Sequence, residues 1–228
     1  MNDPLLTLLC KVDTPTVCNA IEVAQGQRGF DAFTRGTILA SAPDSPAMVG
    51  YARTARIAAN RPPEDPAEVI RARRMDYYRH MASGPRPAIT VVEDLDFPAC
   101  TGAFWGEINA TVHKGFGLAG ALTNGVMRDL PTGFPVMAGS VGPSHAFVHV
   151  RDVGTAVPLF GLTINDGDLV HADRHGAVVI PPDVLPGLEA AIAQLMVTER
   201  IVLDAARRPD FDIARFETAW AAFEKART

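Results

Sequence analysis

The chain is poor in cysteine. Only Cys10, Cys18 and Cys100 occur in 228 residues, and no two share a Cys-x-x-Cys spacing. An odd, scattered set excludes a disulfide framework and a thiolate zinc site. It fits free or buried thiols in a reducing compartment. Excess positive charge is also lacking: 21 lysines and arginines face 26 aspartates and glutamates, a net charge of −5. Without a basic footprint, nucleic acid is not an expected partner. No apolar run approaches the roughly 20 residues that span a bilayer. The start Met1-Asn2-Asp3-Pro4-Leu5 carries an acid where a secretion signal carries a base. A cytoplasmic protein without membrane association is therefore expected. Internal repeats, low-complexity tracts and a convincing linker are absent as well.

What is present is a large apolar fraction, 47% of residues, enough for a sizeable core. Pro15 to Ile21 reads as a short helix capped by Thr14. Val49 to Ile57 alternates like a strand. After the break at Arg61-Pro62-Pro63, Asp65-Pro66 opens a helix to about Met81, with Pro66 at its first position. Ala88 to Val92 is a β-branched run typical of a buried strand, and it ends in Glu93-Asp94-Leu95-Asp96. A helix over Glu107 to Lys114 and a strand over Leu118 to Thr123 follow. Phe134 to Ala138 and Phe147 to Val150 are further strand candidates. Asn165-Asp166-Gly167-Asp168 signals a turn, ahead of strands at Leu169-Val170 and Gly176 to Ile180. Helices over Val184 to Arg207 and Ile213 to Arg227 close the chain. The expectation is one α/β domain over 1–228, with a core at about 14–182 and a C-terminal helical extension at about 183–227.

The most informative stretch is Trp105-Gly106-Glu107-Ile108-Asn109 together with Thr123-Asn124-Gly125-Val126-Met127-Arg128-Asp129. Twenty residues separate Glu107 from Arg128. That length fits one βα-type unit folded back on itself, so that the helix start and the strand end meet. Gly106 sits where the helix begins. The first amides of a helix lack intrahelical acceptors and carry the positive end of its dipole, so a carboxylate binds there naturally. Arg128 offers a planar fork that matches a carboxylate. Asp129 offers a hard oxygen donor for Mg²⁺ or Mn²⁺, which needs only one or two protein carboxylates. The plainer alternatives are an ordinary helix cap and a surface ion pair.

Other candidates are weaker. His145 and His149 are four apart, as are His171 and His175, but neither pair lies on a helix. His171 and His175 flank the probable hairpin turn Asp173-Arg174. All four are read as structural, with His145 kept as a candidate for the pocket wall. Asp94 and Asp96 end a buried strand and could reach the pocket, although a solvated loop is the favoured reading.

The pattern Gly106-Glu107-x20-Arg128-Asp129 resembles that of the RraA-like family, which includes 4-hydroxy-4-methyl-2-oxoglutarate aldolases and a regulator of ribonuclease activity. Phe134-Pro135-Val136-Met137-Ala138 is similar to the family's Gly-Phe-Pro-Val-Phe-Ala strand. Gly167 to Asp173 with Gly176 to Pro181 is similar to its Pro-Gly-Asp … Asp-x-x-Gly-Val segment, and Pro15 to Ala20 to its N-terminal helix. The likeness spans roughly residues 14 to 200.

The resemblance implies a β/β/α swivelling-type domain that assembles as homotrimers, or hexamers made of them, with sites at subunit interfaces. It maps Gly106, Glu107, Ile108 and Asn109 onto the loop that binds the pyruvyl carboxylate. Arg128 maps onto the substrate-binding arginine and Asp129 onto the metal ligand. Glu107 stands where many members have aspartate. The implied activity is that of a divalent-metal-dependent lyase, a class II type pyruvate aldolase with oxaloacetate decarboxylase activity. Glu107 would orient a water or relay a proton, and Arg128 would stabilise the developing enolate. The alternative is a non-catalytic regulator that binds a protein partner. A methyltransferase is excluded, because no glycine-rich nucleotide loop follows an early strand with an acidic residue after it.

Overall fold

A computed structural model describes residues 3–128 and 133–227. The chain divides into two compact units, Met1–Thr14 with Asp31–Ile180, and Pro15–Phe30 with Pro181–Thr228. The first elements are α1 (Pro4–Leu9), α2 (Thr14–Gln25), β1 (Leu39–Ala40), β2 (Met48–Ala58), α3 (Ala67–Ala82) and β3 (Ala88–Asp94). Next come β4 (Ala103–Trp105), α4 (Glu107–Gly115), β5 (Leu118–Thr123), β6 (Val126–Met127), β7 (Val136–Ala138) and β8 (Ser140–Val141). The remainder is β9 (His149–Val153), β10 (Val157–Leu159), β11 (Leu162–Ile164), β12 (Leu169–Asp173), β13 (Gly176–Val179), α5 (Leu185–Ala206) and α6 (Ile213–Arg227).

The main sheet of the first unit runs β1-β7-β5-β3-β2-β12-β13, and β9 also pairs with β2. The strands β2, β3, β5 and β7 are mutually parallel, each with its neighbour. Parallel strands are covered on both faces and so read as continuous apolar runs. The run Ala88 to Val92 obeys this rule and is buried throughout. The long strand β2 makes the sheet curl. One edge pairs with β3 from Tyr51 to Ile57, while the other pairs with β12 over Met48 to Tyr51 and with β9 from Ala55 onward. The pairing with β9 shifts register between Arg56 and Ile57. A small parallel sheet, β4-β6-β8, and the hairpin β10-β11 complete the unit.

The turn Asp173-Arg174-His175-Gly176 joins β12 to β13, as the flanking histidines suggested. His171 is buried and serves the fold. Its Nδ1 lies 3.0 Å from Thr14 Oγ1 and its Nε2 3.0 Å from the Leu9 carbonyl. Thr14 is the first residue of α2 rather than a residue ahead of it, and its hydroxyl faces His171. Likewise Pro66 precedes α3 as its N-cap instead of starting it.

The second unit holds α2 from Pro15 onward, α5 and α6. On α6, Trp220 lies between Phe216 and Phe223, with ring centroids 5.6 and 5.4 Å away. Among the described residues no helix is long and apolar enough to cross a membrane.

Candidate functional site

The 20-residue spacing works through strand pairing. From β4 the chain passes through α4 and β5 into β6, and β6 lies parallel to β4, with Trp105 opposite Met127. The Arg128 amide then donates to the Trp105 carbonyl at 2.9 Å. Arg128 is thereby fixed beside the start of α4. Gly106 is that helix's N-cap, in an extended backbone conformation, with no side-chain cap. The Ala110 amide closes the first helical turn onto the Gly106 carbonyl at 2.9 Å. The amides ahead of it have no intrahelical acceptors.

Gly106, Ile108, Asn109 and Arg128 all line one open cleft of about 510 Å³. Glu107 heads α4 between two of these residues with its side chain exposed. The Asn109 amide is engaged within the wall: it donates to the Phe104 carbonyl at 3.1 Å and accepts from the Tyr78 hydroxyl at 3.3 Å. The Arg128 guanidinium reaches the Pro143 carbonyl at 3.4 Å. Asp129, the expected metal ligand, lies outside the described residues.

Two further walls complete the cleft. Helix α3 contributes Ile70, Arg74, Tyr77 and Tyr78. The loop between β8 and β9 contributes His145 to Val148, and β9 contributes His149 and Val150. His145 was foreseen as a wall residue; His149 was not. Gly102 lets the loop approach, because a Cβ there would lie 2.5 Å from Ala59 Cβ and 2.7 Å from the His145 carbonyl oxygen. Helix α3 is anchored at its far end. Arg53 donates to Asp166 at 2.7 Å and to the His80 carbonyl at 3.2 Å, and His80 Nε2 lies 2.9 Å from Asp166 Oδ1.

Behind the cleft, α3 and α4 meet in an aromatic cluster. His113 packs on Trp105 with ring centres 4.9 Å apart, and Phe134 packs against both, 5.9 Å from the indole and 6.3 Å from the imidazole. Burial pulls the pKa of His113 down to about 4, against the opposing pull of its hydrogen bond to the Asn109 carbonyl.

Asp94 and Asp96 have duties in the fold instead. Asp94 is buried, not in a solvated loop, and its Oδ1 accepts from the Asp96 amide at 3.0 Å. Burial raises its pKa. Asp96 accepts from the amides of Ala59 and Asn60 at 2.6 and 2.8 Å. Among the described residues no three His, Cys, Asp or Glu side chains gather as a metal cluster. Glu107 at the helix start and, by residue type, Asp129 of the sequence are hard carboxylate oxygen donors. They suit a mostly hydrated Mg²⁺ or Mn²⁺, which uses few protein ligands, rather than a closed zinc site.

The family model described as RraA-like, aldolase/RraA, matches residues 14–179. A Legionella pneumophila protein, DlpA, is 27% identical over 154 residues, which are 63% of this chain and 25% of DlpA. The chain thus spans about a quarter of the length of that relative. A Pseudomonas syringae protein of known structure superposes with a TM-score of 0.70 at 21% identity, over 96% of this chain and 94% of that one. Streptomyces coelicolor RraAS2, described as an unusual member of the RNase ES inhibitor RraA family, superposes with a TM-score of 0.64 at 22% identity, over 91% and 98% of the two chains. These likenesses, at about one-fifth identity and over nearly the whole chain, show a shared mixed α/β fold.

Proposed function

The chain belongs to the RraA-like family, and we propose that it is a divalent-metal-dependent lyase that cleaves a C–C bond of a 2-keto acid to give pyruvate. The substrate class is that of 4-hydroxy-4-methyl-2-oxoglutarate, with oxaloacetate as the simpler substrate. The observation that supports this reading is the bond from the Arg128 amide to the Trp105 carbonyl, which brings the main chain of Arg128 to the start of α4, where Arg128 and Gly106 line one cleft. Two features that each favour a carboxylate converge there.

In this reading the amides near Gly106 and the Arg128 fork hold the carboxylate of the keto acid. Cleavage pushes an electron pair toward the keto oxygen, and the fixed charge of Arg128 stabilises the resulting enolate without reorganisation. A cation held by Asp129 and water would supply Lewis acidity at that oxygen. Glu107, exposed at the first turn, would orient a water or relay a proton. The protein would work as a homotrimer or hexamer. The exposed rim side chains Ile108 and Phe147 supply apolar surface for such contacts.

The same rim supports a second reading, a non-catalytic regulator that docks a protein partner. A pyruvate-release assay on oxaloacetate and 4-hydroxy-4-methyl-2-oxoglutarate, with and without Mg²⁺, separates the two. Metal-stimulated release is the expected result. Inertness toward both substrates, from an oligomer verified by light scattering, would favour the regulator.

A further inference from the structure

Helix α3 turns one stripe of side chains toward the cleft. Ile70, Arg74, Tyr77 and Tyr78 line it. Arg74 stands one turn after Ile70 and one turn before Tyr77 and Tyr78, so all four share one face of the helix. Arg74 is exposed, so a solute that enters the cleft can meet its guanidinium. The helix carries three other arginines, Arg71, Arg73 and Arg79. Arg73 pairs with Asp65 and Arg79 with Asp76, and none of the three lines the cleft. Arg74 forms no hydrogen bond or ion pair with another described residue.

A second contact relates Arg74 to the start of α4. The Tyr78 hydroxyl donates to Asn109 Oδ1 at 3.3 Å. Burial raises the pKa of Tyr78, and the charge of Arg74 opposes that rise. The guanidinium therefore lies within electrostatic reach of the phenol that touches the first turn of α4. The Arg128 main chain comes to the same helix start through the Trp105 carbonyl. Two arginines thus approach one helix start, from α3 and from the end of β6. Among the described residues no aspartate or glutamate lines the cleft, in a chain whose net charge is −5. A cleft lined by one sign of charge gathers ligands of the other. One carboxylate held by Arg128 and the helix amides leaves the second arginine unanswered, whereas a ligand with two carboxylates answers both. The apolar Ile70, Phe104 and Ile108 share the lining and suit the carbon chain between them.

We propose that Arg74 binds the second carboxylate of a dicarboxylic 2-keto acid whose first carboxylate lies at Arg128, and so makes the cleft selective for diacids. The proposal rests on the keto-acid reading of the cleft and adds a specificity-determining residue to it. The guanidinium fork matches a carboxylate in two parallel hydrogen bonds. Its contribution is to binding, so loss of Arg74 shows in affinity and KM more than in kcat. An exposed ion pair is screened by salt, so the preference for diacids shrinks as ionic strength rises.

The test is titration calorimetry with Mg²⁺ present, comparing 2-oxoglutarate with 2-oxopentanoate, in which a methyl replaces the distal carboxylate. Neither carries a 4-hydroxyl group, so neither undergoes the proposed aldol cleavage. Wild type should bind the diacid about tenfold more tightly, and Arg74→Gln should erase that preference by weakening the diacid alone. Arg74→Lys should keep part of it, because the charge remains and the fork is lost. Glutamine is a good helix former, so α3 should persist in the variant. Oxalate, a stable mimic of the pyruvate enolate, should bind wild type and Arg74→Gln alike, which verifies the Arg128 end of the cleft. No preference in wild type, an unchanged preference in Arg74→Gln, or equal weakening of both keto acids overturns the proposal. An Arg74-dependent preference in a protein that releases no pyruvate from 4-hydroxy-4-methyl-2-oxoglutarate supports the proposal and removes the lyase reading. A wild type that binds neither keto acid overturns the two together.

Discussion

Tyr77 hydroxyl and His113 Nε2 lie 2.6 Å apart, joining two fully buried side chains 36 positions apart in sequence. His113 Nδ1 lies 2.6 Å from the Asn109 carbonyl, so Nδ1 carries the hydrogen and Nε2 accepts from the phenol. One neutral imidazole thus ties α3, which carries Arg74 and Tyr78, to α4, whose first turn faces the cleft. Protonating Nε2 would reverse this bond, so that the phenol accepts and gives up the bond it donates, and would place a charge in a buried space.

This linkage predicts acid sensitivity of a defined sign. The folded pKa of about 4 lies below the ordinary 6.5. Between those values the unfolded chain binds a proton that the native state refuses. Stability is fully present above the ordinary value and declines as pH falls, by about 3 kcal/mol on reaching the folded value. Burial lowers the pKa of His171 as well, with the same sign, so a variant is needed to isolate His113. Denaturant unfolding of His113→Gln should give a lower stability at pH 7.5 and a flatter profile toward pH 4.5. Parallel profiles for variant and wild type would contradict the assignment.

Arg128 presents its side chain to solvent and the cleft. Arg128→Lys keeps the charge and loses the fork. We expect a loss of at least about tenfold in kcat/KM, roughly 1.4 kcal/mol of transition-state stabilisation. The melting temperature should scarcely move. A fall in stability with kinetics intact would indicate that the guanidinium serves the fold through Pro143.

Asp129→Asn removes the charge that would hold a cation and keeps the size of the side chain. A folded oligomer without metal-stimulated oxaloacetate decarboxylation is the expected outcome. In the wild type a chelator should abolish pyruvate release and Mg²⁺ or Mn²⁺ should restore it, because a largely hydrated ion exchanges easily. Full activity after exhaustive chelation would remove the metal from the mechanism.

Gly102→Ala introduces a methyl that meets Ala59 Cβ at 2.5 Å and the His145 carbonyl at 2.7 Å. Neither neighbour is the flexible end of a long side chain. We expect a stability loss of about 1–3 kcal/mol, typical of overpacking, together with displacement of the loop that carries His145 to Val148. Thermal unfolding gives the first quantity, and loss of oxalate inhibition reports the second. An unchanged melting temperature would mean that the loop relaxes freely.

Much of the site's framework was legible in the chain. The expected helix from Glu107 and strand from Leu118 to Thr123 coincide closely with α4 and β5. Both are short, strongly patterned and local, and the glycine and the turn at Asn124-Gly125 mark their ends. The meeting of Gly106 with Arg128 followed from the loop length, because a parallel strand pair needs a crossover of about that size. The walls were less legible because they depend on distant partners. Helix α3 could be read as a helix, but its packing against β9 is set by the sheet order, which no local pattern specifies. His149 looked like an ordinary strand residue for that reason. Its strand is visible in sequence, but the face it presents to the cleft depends on the register between β2 and β9, which shifts at Arg56. Asp94 was misread as loop because its burial comes from Asn124, whose side-chain oxygen accepts from the Asp94 amide at 2.7 Å.

The loop from Gly142 to Val148 orients its neighbours with backbone carbonyls rather than side chains. Pro143 holds Arg128, and Phe147 holds His149. A carbonyl is the same acceptor whatever residue bears it. Substitutions along this loop can therefore alter the rim's shape and polarity while both acceptors stay in place. Removing a single residue would instead move two carbonyls at once and misalign both partners. For this cleft, diversification by point substitution is chemically cheap and diversification by change of loop length is not. Variants that alter substrate preference should be sought among the loop's side chains, with its length held constant.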